Sequence, residues 1–158
     1  MTTPLPPTQY SPEELDVILL GAECVPSATM TADDGKVIVA ALRETLASGE
    51  FASTAATDPR YLHNALVQHY LERMAQMENV EQGEAQSLLD HDYLVAQIDR
   101  MLMVLRPDDE AYAFKHFLYG MARAVAEAAG EGLFGSGVKV TEGEAEFLAA
   151  LQQKFGLA

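Results

Sequence analysis

The residues of this chain best placed to do chemistry are acids. Glu127 and Glu131 fall at the end of one helical stretch, and Glu142, Glu144 and Glu146 open the next. Lys139 is the only base nearby. Carboxylates in a first helical turn need no ligand, because free amides and the positive end of the helix dipole already favour them. That accounts for Glu142 and Glu144, and for Asp34 earlier in the chain. Glu127 and Glu131 lie at the opposite, disfavoured end of a helix. Something cationic is expected beside them, and a hard divalent ion such as calcium suits oxygen ligands. The candidate metal ligands read from helix position are therefore Glu127 and Glu131, with a solvated acidic surface as the competing reading. Glu23, Asp33 and Asp34 occupy comparable places in the first part of the chain and pose the question of a second site. No D-x-D-x-D-G loop is present, so neither set is an EF-hand.

Other motifs carry less. Gly130-Glu131-Gly132-Leu133-Phe134-Gly135 spells G-x-G-x-x-G, but it follows a helix and does not open directly into another. Phosphate binding needs amides converging from a strand-to-helix turn, so a helix end and loop is the better reading. The histidines are His63, His69, His91 and His116, and none completes E-x-x-H or H-E-x-x-H. Asp90-His91-Asp92 would make a local metal clip, although an exposed polar helix face explains it as well. There is no G-x-S-x-G and no Ser or Cys nucleophile spaced against a base. No catalytic residue is assigned, and the chain reads as a non-enzyme.

The elements that position these acids are all helical. Ser11-Pro12-Glu13-Glu14 is a capping box with proline in the first turn, followed by Leu15, Ile18, Leu19 and Ala22 at helical spacing. Pro26 is expected to stop that run. Thr31-Ala32-Asp33-Asp34 starts a second helix through Val37, Ile38, Ala41, Leu42 and Leu46, closed by Gly49. Asp58-Pro59 opens a third, with Leu62, Leu66, Tyr70, Met74 and Met77 along one face. A fourth spans roughly Glu84 to Leu105, and a fifth follows Arg106-Pro107-Asp108 with Phe114, Phe117, Leu118, Met121 and Val125 as its stripe. Gly130 is its natural C′ residue. Thr141-Glu142-Gly143-Glu144 caps the last, which carries Phe147, Leu148, Leu151 and Phe155 and ends at Gly156. The methionines at 74, 77, 101, 103 and 121 and the aromatics of Tyr112–Tyr119 read as core. The expected fold is an all-α bundle of about six helices. Thr31 and Thr141, with the carboxylates and apolar residues after each, align at one offset and suggest two pseudo-repeated halves. Residues 1–10, rich in proline, read as an extended leader before one domain at 11–158.

Composition narrows the partners. Ten basic against 24 acidic residues leave a formal net charge of −14. Such a surface repels nucleic acid and anionic lipid, while cations and basic proteins are attracted. A protein partner or a second copy stays open. No basic n-region or apolar h-region begins the chain, and no apolar run approaches the ~20 residues that span a bilayer. The single cysteine, Cys24, sits among apolar residues and reads as a buried, inert thiol. A cytoplasmic location is the simplest expectation.

The stretch from Ala124 to Gly130, then Val140-Thr141-Glu142-Gly143-Glu144 through Leu148, then Lys154-Phe155-Gly156-Leu157, resembles the tellurite-resistance TerB-like family. The Leu19–Leu46 stretch fits the same pattern more loosely. The resemblance implies an all-helical protein linked to bacterial stress and metal resistance, with no established enzymatic reaction. It also implies a divalent metal held by acids, with Glu131 in place of the turn acid and Glu144 in place of the helix-start acid. The chain departs where the family has A-D-G: here Ala129-Gly130-Glu131-Gly132 stands, followed by a Leu133–Gly137 insertion. That departure puts the metal site in doubt. Removing the cap with Thr141→Ala should cost about 0.5–2 kcal/mol in chemical denaturation. Unchanged stability would mean that the last helix does not begin there.

Overall fold

Ser11 and Glu14 trade hydrogen bonds at the head of the first helix. Ser11 Oγ accepts from the Glu14 N–H at 3.1 Å and Glu14 Oε1 accepts from the Ser11 N–H at 2.9 Å. The capping box therefore forms as the sequence implies. A computed structural model describes residues 6–30, 32, 51, 53, 54, 57–77, 90–130 and 142–157. Within these are six helices: α1 (Pro12–Met30), α2 (Pro59–Leu62), α3 (Ala65–Met77), α4 (His91–Val104), α5 (Asp109–Gly130) and α6 (Glu142–Phe155). Among the described residues there is no strand, and no helix is long and apolar enough to cross a membrane. The fold is an all-α bundle.

Helix α1 runs through its centre, touching α3, α4, α5 and α6, with its most extensive interface on α4. Ile18, Ala22, Val25, Ala28 and Thr29 are wholly buried, and Leu19 and Cys24 are nearly so. This position explains the first departure from the sequence reading: Pro26 does not stop the helix but lies inside it. Proline there removes one backbone bond and costs about 3 kcal/mol. Burial of Val25, Ala28 and Thr29 around it offsets that cost, and Thr29 Oγ1 donates to the Val25 carbonyl at 2.8 Å. Gly21 makes the α1–α4 crossing close. A Cβ there would lie 2.4 Å from Met101 Cβ and 2.8 Å from the Gln97 carbonyl oxygen.

The predicted third helix is two. After Pro59–Leu62 the chain turns at His63 and restarts at Ala65, with Asn64 capping the new start. Asn64 Oδ1 accepts from the Val67 N–H at 3.1 Å, and its Nδ2 donates to the Glu110 carbonyl at 2.9 Å. The break shifts the register, so Leu62 is 47% exposed while Leu66 and Tyr70 are wholly buried. Helix α4 starts on Asp90, whose Oδ1 accepts from the Asp92 and Tyr93 N–H groups. Leu94, Ile98 and Met101 point inward from it. Helix α5 supplies the predicted stripe, with Phe114, Phe117, Leu118, Met121 and Val125 all at zero exposure. Phe117 is the aromatic centre, with ring centroids of Phe51, Tyr61 and Tyr70 at 5.6, 5.4 and 5.6 Å. Two expected core residues are not core: Met103 is 85% exposed, and Tyr112, at 47%, lies edge-on to His116.

Helix α6 ends as its sequence implies. Gly156 takes φ 68°, Leu157 N–H reaches the Gln152 carbonyl, and Gly156 N–H reaches Gln153. This is a Schellman motif, with Leu157 buried as its apolar closure. The expected helix over 31–49, the Thr141 cap, the glycine-rich stretch after Gly130 and hence the pseudo-repeat lie outside the described residues. Asn64→Ala should cost about 1–3 kcal/mol, by removing the cap and the bond that ties α3 to the Glu110 carbonyl. A urea midpoint unchanged from wild type would mean that Asn64 does not hold the break.

Candidate functional site

Of the three acids proposed as metal ligands, two are described. Glu127, on the last turns of α5, pairs with Arg123 one turn earlier at 3.4 Å, both side chains being substantially exposed. The cation that its position called for is thus supplied within the same helix. Glu144 lies in the first turn of α6 and is only 3% exposed. Glu131 lies outside the described residues, as do Asp33 and Asp34. Glu142 and Glu146 face solvent. Among the described residues, no three His, Cys, Asp or Glu side chains gather closely enough to hold a metal ion. Asp90 of the candidate clip is occupied as a helix cap, and the His91 ring packs edge-on to Phe147 at 5.5 Å.

Glu23 has a different role from the one its sequence position suggested. Its carboxylate pairs with Arg73 Nε, so α1 is tied to α3, and Asp16 two turns back on α1 stands 3.5 Å from Arg73 Nη1. The Glu23 side chain is 12% exposed. Burial pushes its carboxyl above the ordinary range, and Arg73 only partly reverses this. Its charge also reaches the neighbours. The Cys24 thiol is pushed up to about 11, first by burial and then by Glu23. Tyr70 is raised for the same two reasons, and its hydroxyl rests against Met121 Sδ at 3.2 Å. A thiol that holds its proton so firmly is a poor nucleophile, as the apolar setting of Cys24 implies.

The densest polar junction was not legible as a unit in the sequence. Residues 6–10 cross the start of α3 and the α4–α5 turn. The Pro6 carbonyl meets His69 Nε2 at 2.9 Å, and Gln9 joins Arg106 and Asp108 at 3.0 and 2.5 Å. The Tyr10 hydroxyl accepts from the Arg106 N–H at 3.0 Å, and the Arg106 guanidinium lies over its ring at 5.2 Å. Asp108 caps α5 through the Ala111 N–H at 2.9 Å. Glu110 completes the group through its backbone carbonyl, which accepts from Asn64 Nδ2. Its Oε1 is buried without a hydrogen-bond partner, and burial, then Asp108, raises its pKa. The signals were dispersed over residues about 60 to 100 positions apart, so no local spacing could unite them.

One further hollow runs between α4 and α6, about 320 Å³ in volume. Val95, Ile98, Phe147 and Leu151 form its apolar wall, and Lys154 beside it pairs with Asp99 at 2.7 Å. No protein-family model, curated protein or solved structure matches the chain.

Arg73→Met should destabilise the protein by about 1.5–3 kcal/mol at neutral pH, since it strands a largely buried charge. The fold holds the Glu23 proton more tightly than the unfolded chain does. The Glu23 contribution is therefore full below the ordinary carboxylate pKa and is lost as pH rises through its own higher value. The penalty of Arg73→Met should shrink on acidification, as Glu23 takes up a proton. Thermal melts across the acid range test this, and a pH-independent penalty would contradict it.

Proposed function

We propose that this protein is a non-catalytic, acidic helical binding domain of the TerB-like kind, acting in the cytoplasm by docking a basic protein partner. The reading rests on how the few cations are used. Arg60, Arg73, Arg123 and Lys154 are tied in ion pairs to acids of the same fold. Over the whole sequence acids exceed bases by 14. Such a field draws a cationic partner in and sets orientation before contact. The pairing of Glu127 with Arg123 favours a protein partner over a divalent ion at Glu127, Glu131 and Glu144. The resemblance to TerB-like proteins keeps that ion as the second reading, with calcium the ion whose tolerance of irregular geometry fits best.

Calorimetric titration with a Lys/Arg-rich peptide, at low and high salt, tests the first reading. Binding should appear and weaken steeply with salt. Calcium should raise the melting temperature no more than sodium at matched ionic strength. A calcium-specific rise that Glu131→Gln with Glu144→Gln abolishes would replace the protein-partner reading with the cation one. Absence of both responses would overturn the binding-domain reading itself.

A further inference from the structure

Helices α4 and α6 both rest on α1 but do not pack extensively on each other, and the hollow of about 320 Å³ lies between them. Two bridges join the helices through residues that line it. The His91 ring lies edge-on to Phe147 at 5.5 Å, and Lys154 Nζ donates to Asp99 Oδ1 at 2.7 Å. The bridges fall in the same order on both helices, so α4 and α6 run in the same sense past the hollow. From His91 to Asp99 is about 12 Å of helix. Ile98 and Leu151, each 1% exposed, form the floor. Val95 and Phe147 are half-buried walls, and Ala150 is exposed at the rim.

The charge around the hollow is one-sided. Glu146 lines it and Glu142 lies one turn earlier on the same face of α6, both exposed. Asp92 is exposed in the first turn of α4, two turns before Asp99 and on the same face. No cation among the described residues pairs with Glu142, Glu146 or Asp92. Lys154, the lysine that lines the hollow, is already held by Asp99.

We propose, building on the reading of this chain as an acidic docking domain, that the α4–α6 hollow is where the partner docks. It seats apolar anchors of an amphipathic helix whose flanking lysines or arginines meet Glu142, Glu146 and Asp92. The volume lies at the lower end of the ~300–1,000 Å³ typical of ligand pockets, so it takes side chains and not a whole helix. Anchors at i, i+4 and i+7 of a helix span about 10.5 Å, which matches the distance between the two bridges. An anionic amphiphile would bring its charge against the same unpaired carboxylates, whereas a basic helix complements them.

Two peptides of equal length and charge test the site when titrated calorimetrically into the full chain. One is a lysine-rich helix with Leu at i, i+4 and i+7, and the other has Ala at those places. The leucine peptide should bind more tightly by about tenfold or more. In wild type it should shift the methyl NMR signals of Val95, Ile98 and Leu151, and the alanine peptide should shift them less. Ala150→Trp, which fills the hollow from its exposed rim, should abolish the preference. The salt-sensitive binding common to both peptides should remain. The methyl comparison stands even if Ala150→Trp fails to fold. Equal affinities would overturn this site while leaving the docking reading in place, and binding of neither peptide would overturn both. Methyl shifts confined to another surface, or a preference surviving Ala150→Trp, would also overturn the site. So would a dimer of the free chain that Ala150→Trp dissociates, since the hollow would then belong to a second copy.

Discussion

The fold turns on the close passage of α1 over α4 at Gly21. No side chain separates the two backbones there: a Cβ would sit 2.8 Å from the Gln97 carbonyl oxygen, inside any ordinary contact. The approach sinks α1 into the middle of the bundle, where it also meets α3, α5 and α6. Several otherwise odd features follow from this one constraint. A proline is tolerated inside α1 because the helix is held from outside as well as by its own ladder. A glutamate two residues beyond the crossing, Glu23, is carried inward and must have Arg73. Glycine and glutamate at these positions are parts of the same arrangement.

Around that centre, polar groups are used chiefly to begin helices. Ser11 with Glu14, Asn64, Asp90 and Asp108 take up amides that a helix start leaves without partners. Two of these starts, those of α3 and α5, are joined through Asn64 and Glu110. Tyr10 and Gln9 then bring the incoming chain onto the same junction. Among the described acids that look like ligands in the sequence, Asp90 is a cap and Glu23 and Glu127 are partners for cations.

What the sequence made legible follows from the range of each interaction. Caps and apolar stripes are local, so the Ser11 box, the α5 stripe, the burial of Cys24 and the Gly156 terminus were readable from spacing. The restart at Asn64 was not, because apolar spacing continues across it and the deciding bond reaches Glu110, 46 residues away. Pro26 misled for the same reason: its cost is local while its compensation is tertiary. Met103 and Tyr112 follow an apolar pattern yet face solvent, since periodicity fixes a stripe but not its width. Of the candidate acids, Glu127 has Arg123 one helical turn away, a local i,i+4 pairing that the sequence reading overlooked.

The claim that α1 is seated by contact at Gly21 is decided by the sign of one stability change. Helix propensity alone makes Gly→Ala in a helix interior stabilising by about 1 kcal/mol. The crossing makes it a collision with backbone, which a rotamer change at Met101 cannot relieve because the Gln97 carbonyl remains. Chemical denaturation of Gly21→Ala against wild type should show a loss on the order of 1–3 kcal/mol, as for overpacked cores. A variant as stable as wild type, or more so, would contradict the account.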